Sequence, residues 1–422
     1  MAIGFACTPM NHDTDLQGRY VNRKPIVQDG LIREMKHKKI RVLHIITRFL
    51  RGGGAINTLF TVQELDKYVY EVHLAVGRDI HKPQIKKLEK VTVFQVASLV
   101  RNVTFISDIR SLISIYKYIR KNDFDIVHTH LAKAGFIGRL AAKAAGVPII
   151  IHTIHGITFP PAVKFLYRCC YIFLEKIAAR WTDQFISVGE DLKKSYLRKG
   201  IGNNNQYQVI RSGMDLHYFK NASGDDKVKE KIKKELRINN DEKIIGYVSN
   251  LESRKGHIYA IQAAEIILRK HINSRFLFVG EGYLNKKIEN YIYNIGLEKK
   301  IQLLGYRKDV AEIMSIFDIK IFTSMWEGLP QVLVQAAAMG IPIVSFDTDG
   351  VSEIVIHGKN GYIVDKKDTQ AMAKFVSTLL SDPQKSKTMG MHGVNIIDAQ
   401  WEKSTMITQI SHLYSELYNG SV

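Results

Sequence analysis

IRVLHII (40–46) is a short apolar run bounded by basic residues and followed by the glycine-rich TRFLRGGGAINTLF. That order reads as strand, turn and helix. Similar runs recur as EVHLAV (71–76), VTVFQV (91–96), FDIVHTH (124–130), VPIIIHTIHG (147–156) and QFISVG (184–189), with helical stretches such as SDIRSLISIYKYIRKN (107–122) and KAGFIGRLAAKAAG (133–146) between them. A strand that is apolar on both faces belongs in a parallel sheet covered by helices on both sides. After the highly charged NASGDDKVKEKIKKEL (221–236), which suits a linker and an exposed helix, the pattern restarts. Its second round is KIIGYVSN (243–250), RFLFVGEG (275–282), IQLLGY (301–306), DIKIFTS (318–324), IPIVSF (341–346) and GYIV (361–364). The fold class is therefore α/β, with two doubly wound halves and a break near 212–225. WEKSTMITQISHLYSELYNG (401–420) has apolar residues at helical spacing and reads as a closing helix.

Length agrees, since 422 residues exceed what one compact core holds. Sixty basic against 41 acidic residues give a net charge of +19, which attracts polyanions: nucleic acid, an anionic membrane or phosphorylated ligands. No recognition motif supports specific nucleic-acid binding. Three cysteines, of which Cys169 and Cys170 are adjacent, argue against a disulfide framework and fit a reducing compartment. The N-terminus lacks the basic start and apolar core of a secretory signal. No stretch reaches the roughly 18 apolar residues of a spanning helix; the nearest, 162–181, is interrupted by Lys164, Arg168 and Glu175. Gln17–Arg51 carries ten Lys or Arg against two acids, which with the apolar helix at 162–181 predicts a peripheral face for anionic membranes, released by salt.

WEGLPQVLVQAAAMGIPIVSF (326–346) places a carboxylate, Glu327, at the C-end of a strand and beside a helix N-terminus. Pro330 suits the first turn of that helix, Gly340 its C-terminal cap, and Pro342 blocks its continuation. The free N–H groups and partial positive charge of such a terminus favour anions. Gln335 follows about two helical turns on.

The segment resembles a hallmark of the retaining nucleotide-sugar glycosyltransferases of family 4, which have the GT-B fold. The likeness continues in order and at family spacing over about 40–380. HTHLAKAGFIGRLAAKAAGVPIIIHTIHG resembles the first-domain cleft region and VIRSGMDLHYF (209–219) the inter-domain motif. VSNLESRKG (248–256), VGEGYL (279–284) and TDGVSEIVIHGKNGYIV (348–364) resemble motifs of the second domain. The resemblance implies two Rossmann-like domains facing a central cleft. The divisions are an N-terminal extension at 1–38, an N-terminal acceptor domain at 39–215, a C-terminal donor domain at 216–395 and a closing helix at 396–422. Three positions depart from the family pattern: Gln335 replaces a second Glu, Asn250 replaces a diphosphate-binding Arg, and Arg211 replaces a Pro.

The resemblance also implies the roles. Lys255, with Arg254 standing in for the missing Arg, would neutralise the departing diphosphate, an electrostatic stabilisation that needs no proton donor. Glu327 would contact the donor sugar beside the N–H groups of Gly328 and Leu329, and Gln335 would accept from the ribose through its amide oxygen. His155 would approach the sugar from the first domain. Gly53, flanked by Gly52 and Gly54, would lie against phosphates and acceptor. Asn250 and Gly282 complete the donor-binding set. His128 and His130 also lie at a strand end. Three Asp-x-Asp triplets, Asp13–Asp15, Asp123–Asp125 and Asp347–Asp349, are chance, and no metal or other cofactor is expected. The expectation is a metal-independent retaining transferase that uses a UDP-, GDP- or ADP-sugar and a lipid-linked acceptor. It would work in surface polysaccharide or glycolipid assembly on the inner face of the cell membrane. The rival reading is a catalytically weak GT-B-like nucleotide-sugar binding protein, suggested by Asn250 and Gln335.

Overall fold

The computed structural model describes residues 38–50, 52–160 and 162–421. The triplet Asp13–Asp15, and the part of the basic stretch Gln17–Arg51 that precedes Lys38, lie outside the described residues. Seven parallel strands form the first sheet: β1 (Ile40–Ile46), β2 (Tyr70–Val76), β3 (Val91–Gln95), β4 (Ile126–His130), β5 (Ile149–Ile154), β6 (Gln184–Ser187) and β7 (Tyr207–Val209). Their spatial order is β3-β2-β1-β4-β5-β6-β7. The second sheet is also parallel and comprises β8 (Lys243–Val248), β9 (Ser274–Val279), β10 (Ile301–Leu303), β11 (Ile319–Phe322), β12 (Ile343–Phe346) and β13 (Gly361–Val364). Its order, β10-β9-β8-β11-β12-β13, repeats the first topology. In each sheet the winding reverses once, between β1 and β4 and between β8 and β11. Open parallel sheets bind ligands outside the carboxyl ends of the strands at that reversal.

The apolar runs have the two-sided burial expected of them. Along β1, Val42 and Ile46 join one hydrophobic cluster, while Leu43 and Ile45 join another on the opposite face. The segment 221–236 differs from its reading as partly linker. Two helices, Leu216–Gly224 and Asp226–Glu235, abut there, because the Asp225 side chain accepts from the N–H groups of Lys227 and Val228 at 3.0 and 3.2 Å and starts the second helix. Pro330 precedes the helix Gln331–Ala338 as its N-cap and is not inside its first turn. β7 has no counterpart in the sequence reading, since three residues are too few for a periodic signal.

The last helix, Lys403–Ser421, returns to the first sheet. Ile410, Leu413 and Tyr414 are buried with β1 and β2, and Tyr70 donates to the Ser411 carbonyl at 3.0 Å. A second junction of the halves forms around Arg211. Its guanidinium lies 4.5 Å from the Trp401 ring centre and donates to Glu353 at 2.6 Å, and Glu353 accepts from the Asp191 N–H at 3.1 Å. Arg211 thus ties together three segments that a proline could not.

Candidate active site

The carboxyl ends of both sheets open on one cleft of about 1360 Å³. Gly53, His155, Asn250, Arg254, Lys255, Glu327, Gly328, Leu329 and Gln335 all line it. Gly282 is not among the lining residues. A Cβ there would stand 2.4 Å from the Leu251 carbonyl oxygen, so this glycine serves close backbone packing.

The second half supplies the charges. After β8 the chain makes a 3-10 turn, Ser253–Lys255, and enters the helix His257–Lys270 through Gly256 at φ 69°. A side chain at Gly256 would meet the Thr323 carbonyl oxygen at 2.1 Å, so only glycine lets this turn press against the end of β11. Thr323 Oγ1 donates to the Lys255 carbonyl at 3.1 Å and the Met325 N–H donates to the Arg254 carbonyl at 2.8 Å. These contacts fix the basic pair opposite Glu327. Arg254 Nη1 donates to Glu327 Oε2 at 3.0 Å, and Lys255 Nζ donates to Glu327 Oε1. Arg254 also reaches Glu252 at 3.3 Å. Burial alone would raise the Glu327 carboxyl pKa, but Lys255 and Arg254 outweigh it and hold the group below the usual carboxylate range. Burial lowers the Lys255 ammonium despite the attraction of Glu327.

The two halves touch at this point. Gly156, just past β5, forms an antiparallel bridge with Gly328. A Cβ on Gly328 would be 2.2 Å from the His155 carbonyl oxygen, and one on Gly350, at φ 75°, would be 2.4 Å from the Gly328 carbonyl oxygen. Gln331 Nε2 donates to Asn57 Oδ1 at 3.0 Å, a second bond across the cleft that sequence reading missed. The signal available was only an amide at a helix start. Gln335, one helical turn further, has no side-chain hydrogen bond among the described residues and faces the cleft.

On the first half, Gly54 lies against the His155 ring, where a Cβ would approach Cγ to 3.1 Å. His155 Nε2 meets His130 Nδ1 at 3.1 Å, and His130 Nε2 meets His44 Nδ1 at 3.0 Å. Tyr414 OH lies 3.4 Å from His44 Nε2 and 2.5 Å from His128 Nδ1, and His128 Nε2 lies 2.6 Å from Thr153 Oγ1. His128 and His130 are thus fully buried links of a chain running back from the cleft, and neither lines it. His44 was missed in the sequence; the clue was a polar residue inside an otherwise apolar β1 run. His44, His128 and His130 are close enough to ligate one metal ion, but all six of their ring nitrogens are committed to the chain. Of the Asp-x-Asp triplets, Asp125 accepts the Arg41 N–H at 2.7 Å at the start of β1, the sheet end away from the cleft.

Burial depresses these imidazoles, His155 to about 4 and His44 to about 3, with His128 and His130 well below the ordinary value. All are neutral near pH 7. Unfolded, each titrates near 6.5, so the unfolded chain binds more protons between the two values. Stability is therefore fully present above about pH 6.5 and falls as pH drops towards 4, by about 1.4 kcal/mol per pH unit for each proton taken up. Urea unfolding at pH 7, 6 and 5 checks this; a flat profile would mean that the histidines are protonated in the folded chain.

Two family models match the chain. The one described as Glycosyltransferase Family 4 covers residues 51–218, and the one described as Glycosyl transferases group 1 covers 228–394. Over 348 residues the chain is 30% identical to the UDP-Gal:alpha-D-GlcNAc-diphosphoundecaprenol alpha-1,3-galactosyltransferase of Escherichia coli, covering 82% of this chain and 88% of that one. The chain is a family 4 glycosyltransferase. It is also 26% identical to the capsular polysaccharide biosynthesis glycosyltransferase CapM of Staphylococcus aureus over 92% of its own length and 99% of the relative's. Among solved structures, Anabaena HepE in complex with UDP and glucose superposes with a TM-score of 0.77 at 20% identity, over 89% of this chain and 100% of that one, which establishes the GT-B fold. The repeated sheet order and the shared cleft of this glycosyltransferase are that fold's two Rossmann-like units.

Proposed function

We propose that this glycosyltransferase moves a sugar from a nucleoside-diphosphate sugar to a hydroxyl of a lipid-linked saccharide, with retention at the anomeric carbon and without a metal ion. The reaction would serve surface polysaccharide or glycolipid assembly at the inner face of the cell membrane. The observation that carries the reading is the convergence of Arg254, Lys255 and Glu327 at the point where the second sheet reverses, facing His155 from the first.

The charges have a direct use there. As the bond from the anomeric carbon to the diphosphate oxygen breaks, negative charge grows on that oxygen. Lys255 and Arg254 stabilise it, because that oxygen competes with Glu327 for the N–H groups they donate. The new bond to the acceptor oxygen forms on the same face, and the acceptor proton passes to the departing phosphate oxygen. No side chain need act as nucleophile. Glu327 and neutral His155 orient the sugar hydroxyls, with Gly328 and Leu329 beside them. Asn250 lies at the diphosphate end, and Gln335 receives the ribose. The lipid-linked acceptor is supported by the Escherichia coli relative, whose name specifies a diphosphoundecaprenol acceptor.

A thermal-shift panel with UDP, GDP and ADP, followed by transfer of labelled sugar from the matching donor, tests the reading, because ligand binding raises apparent stability by mass action. One nucleotide should stabilise the chain. No shift with any of them would overturn the donor assignment, and a shift without transfer would favour the binding-protein reading. Gln335→Glu offers a charged acceptor to the ribose and should tighten that nucleotide by about 1 kcal/mol in calorimetry. Weaker binding would mean that the site is built around the amide.

A further inference from the structure

Ten of the 21 large hydrophobic residues that are exposed among the described residues fall within 103–116 and 165–173. They are not scattered over the molecule. The helices Phe105–Asn122 and Phe165–Ala179 flank the helix Ala132–Ala145, and all three begin where β-strands of the first sheet end on the cleft side. Phe105 and Ile109 from one helix, and Tyr171 and Leu174 from the other, line the cleft itself. The outward faces continue the apolar lining onto the surface: Ile106 is 66% exposed, Phe165 74% and Leu166 77%. Contiguous apolar surface of this kind marks a contact with a partner or a membrane.

Charge selects between those. The segments 101–118 and 162–176 hold six Lys or Arg and two acids. Both acids are neutralised internally, Asp108 by Lys133 at 2.5 Å and Glu175 by Arg139 at 2.7 Å. Arg101, Arg110, Lys117 and Lys164 are exposed among the apolar side chains, and the Arg168 guanidinium sits 5.9 Å from the Phe165 ring centre. Large apolar and aromatic side chains rimmed by cations with no carboxylate partner among the described residues match the boundary between anionic headgroups and acyl chains.

We infer that these two helix starts form a membrane-inserting lip, which seats the mouth of the cleft on an anionic bilayer so that a lipid-borne acceptor enters along an apolar wall. The inference rests on the proposed lipid-linked acceptor for the cargo, and on the exposed surface alone for the docking. It also differs from attachment by charge only: insertion of apolar side chains resists salt, whereas headgroup attraction is screened over roughly 3–10 Å as ionic strength rises towards 1 M.

Full-length protein is tested against phosphatidylglycerol/phosphatidylcholine (1:1) vesicles in 0.15 and 0.5 M NaCl. Exposed Cys169 and Cys170, labelled with bimane in a Cys7→Ser background, report the polarity at the lip. The expected result is co-sedimentation that persists in part at 0.5 M NaCl, with a blue shift of bimane emission on vesicle addition. Ile106→Asp with Leu166→Asp should lower vesicle affinity at least tenfold and leave the nucleotide-induced thermal shift unchanged. Vesicle binding by the double variant at wild-type strength, or no bimane shift, would overturn the inference. So would a wild-type dimer that ignores vesicles and dissociates in the variant, since the face would then be an interface between copies. Failure of the nucleotide panel alone would sink the donor reading and leave the lip standing.

Discussion

Lys255→Ala should lower turnover on the order of 10²-fold or more, the usual cost of losing an electrostatic donor at a developing oxyanion. The loss should exceed any effect on folding. In the free protein Glu327 would still hold Arg254 at 3.0 Å, so the carboxylate would not be left as an uncompensated buried charge. During transfer only Arg254 would remain for the leaving phosphate, and its guanidinium is already shared between Glu327 and Glu252. Steady-state kinetics with the cognate donor, beside urea unfolding, separates the two effects. Turnover within threefold of wild type would remove Lys255 from the diphosphate site. Arg254→Ala belongs in the same series. Its guanidinium is shared between Glu327 and Glu252, and burial, which would lower its pKa, is outweighed by those two carboxylates. A smaller loss than for Lys255→Ala would place Arg254 chiefly as the group that holds Glu327.

Glu175→Ala should be the most destabilising of the substitutions considered, by about 3–5 kcal/mol. Arg139 is fully buried in the helix Ala132–Ala145. It spends its guanidinium on Glu175 at 2.7 Å, on the Gly135 carbonyl at 2.8 Å and on Thr182 Oγ1 at 3.3 Å. Removing the carboxylate leaves a cation inside the protein with neutral partners only. The double replacement Arg139→Met with Glu175→Leu removes both charges and should recover most of the loss, because apolar residues of similar volume replace buried pairs at little cost. Urea midpoints at fixed pH, without nucleotide, decide it. Equal stability of Glu175→Ala and wild type would show that water reaches the guanidinium. In the sequence Glu175 stands only as an interruption of an apolar helix. The interruption is real, but its partner lies 36 residues away on a neighbouring helix.

The sequence by itself determined the class and the repeat. Strands apolar on both faces, spaced by helices and restarted after residue 240, leave two parallel sheets as the economical solution, and the structure has 13 parallel strands in two like orders. It also brought out several residues that line the cleft, because turns at strand ends are local: Lys255 before Gly256, Glu327 before a helix, and His155 past β5. What only the tertiary structure decided depends on residues distant in the chain. That Glu327 holds both Arg254 and Lys255 follows from β8 and β11 being neighbours. That His44, His128 and His130 form one chain with His155 follows from the β1–β4 register and from Tyr414 on a helix nearly 300 residues later. Gly282, assigned to the donor by pattern, packs on Leu251 outside the lining. The sequence marks 162–181 as an apolar helix on a membrane face but gives no such sign for the helix that starts at 105. Periodicity tells which side chains share a face, but only the packing of neighbouring helices settles whether anything covers that face.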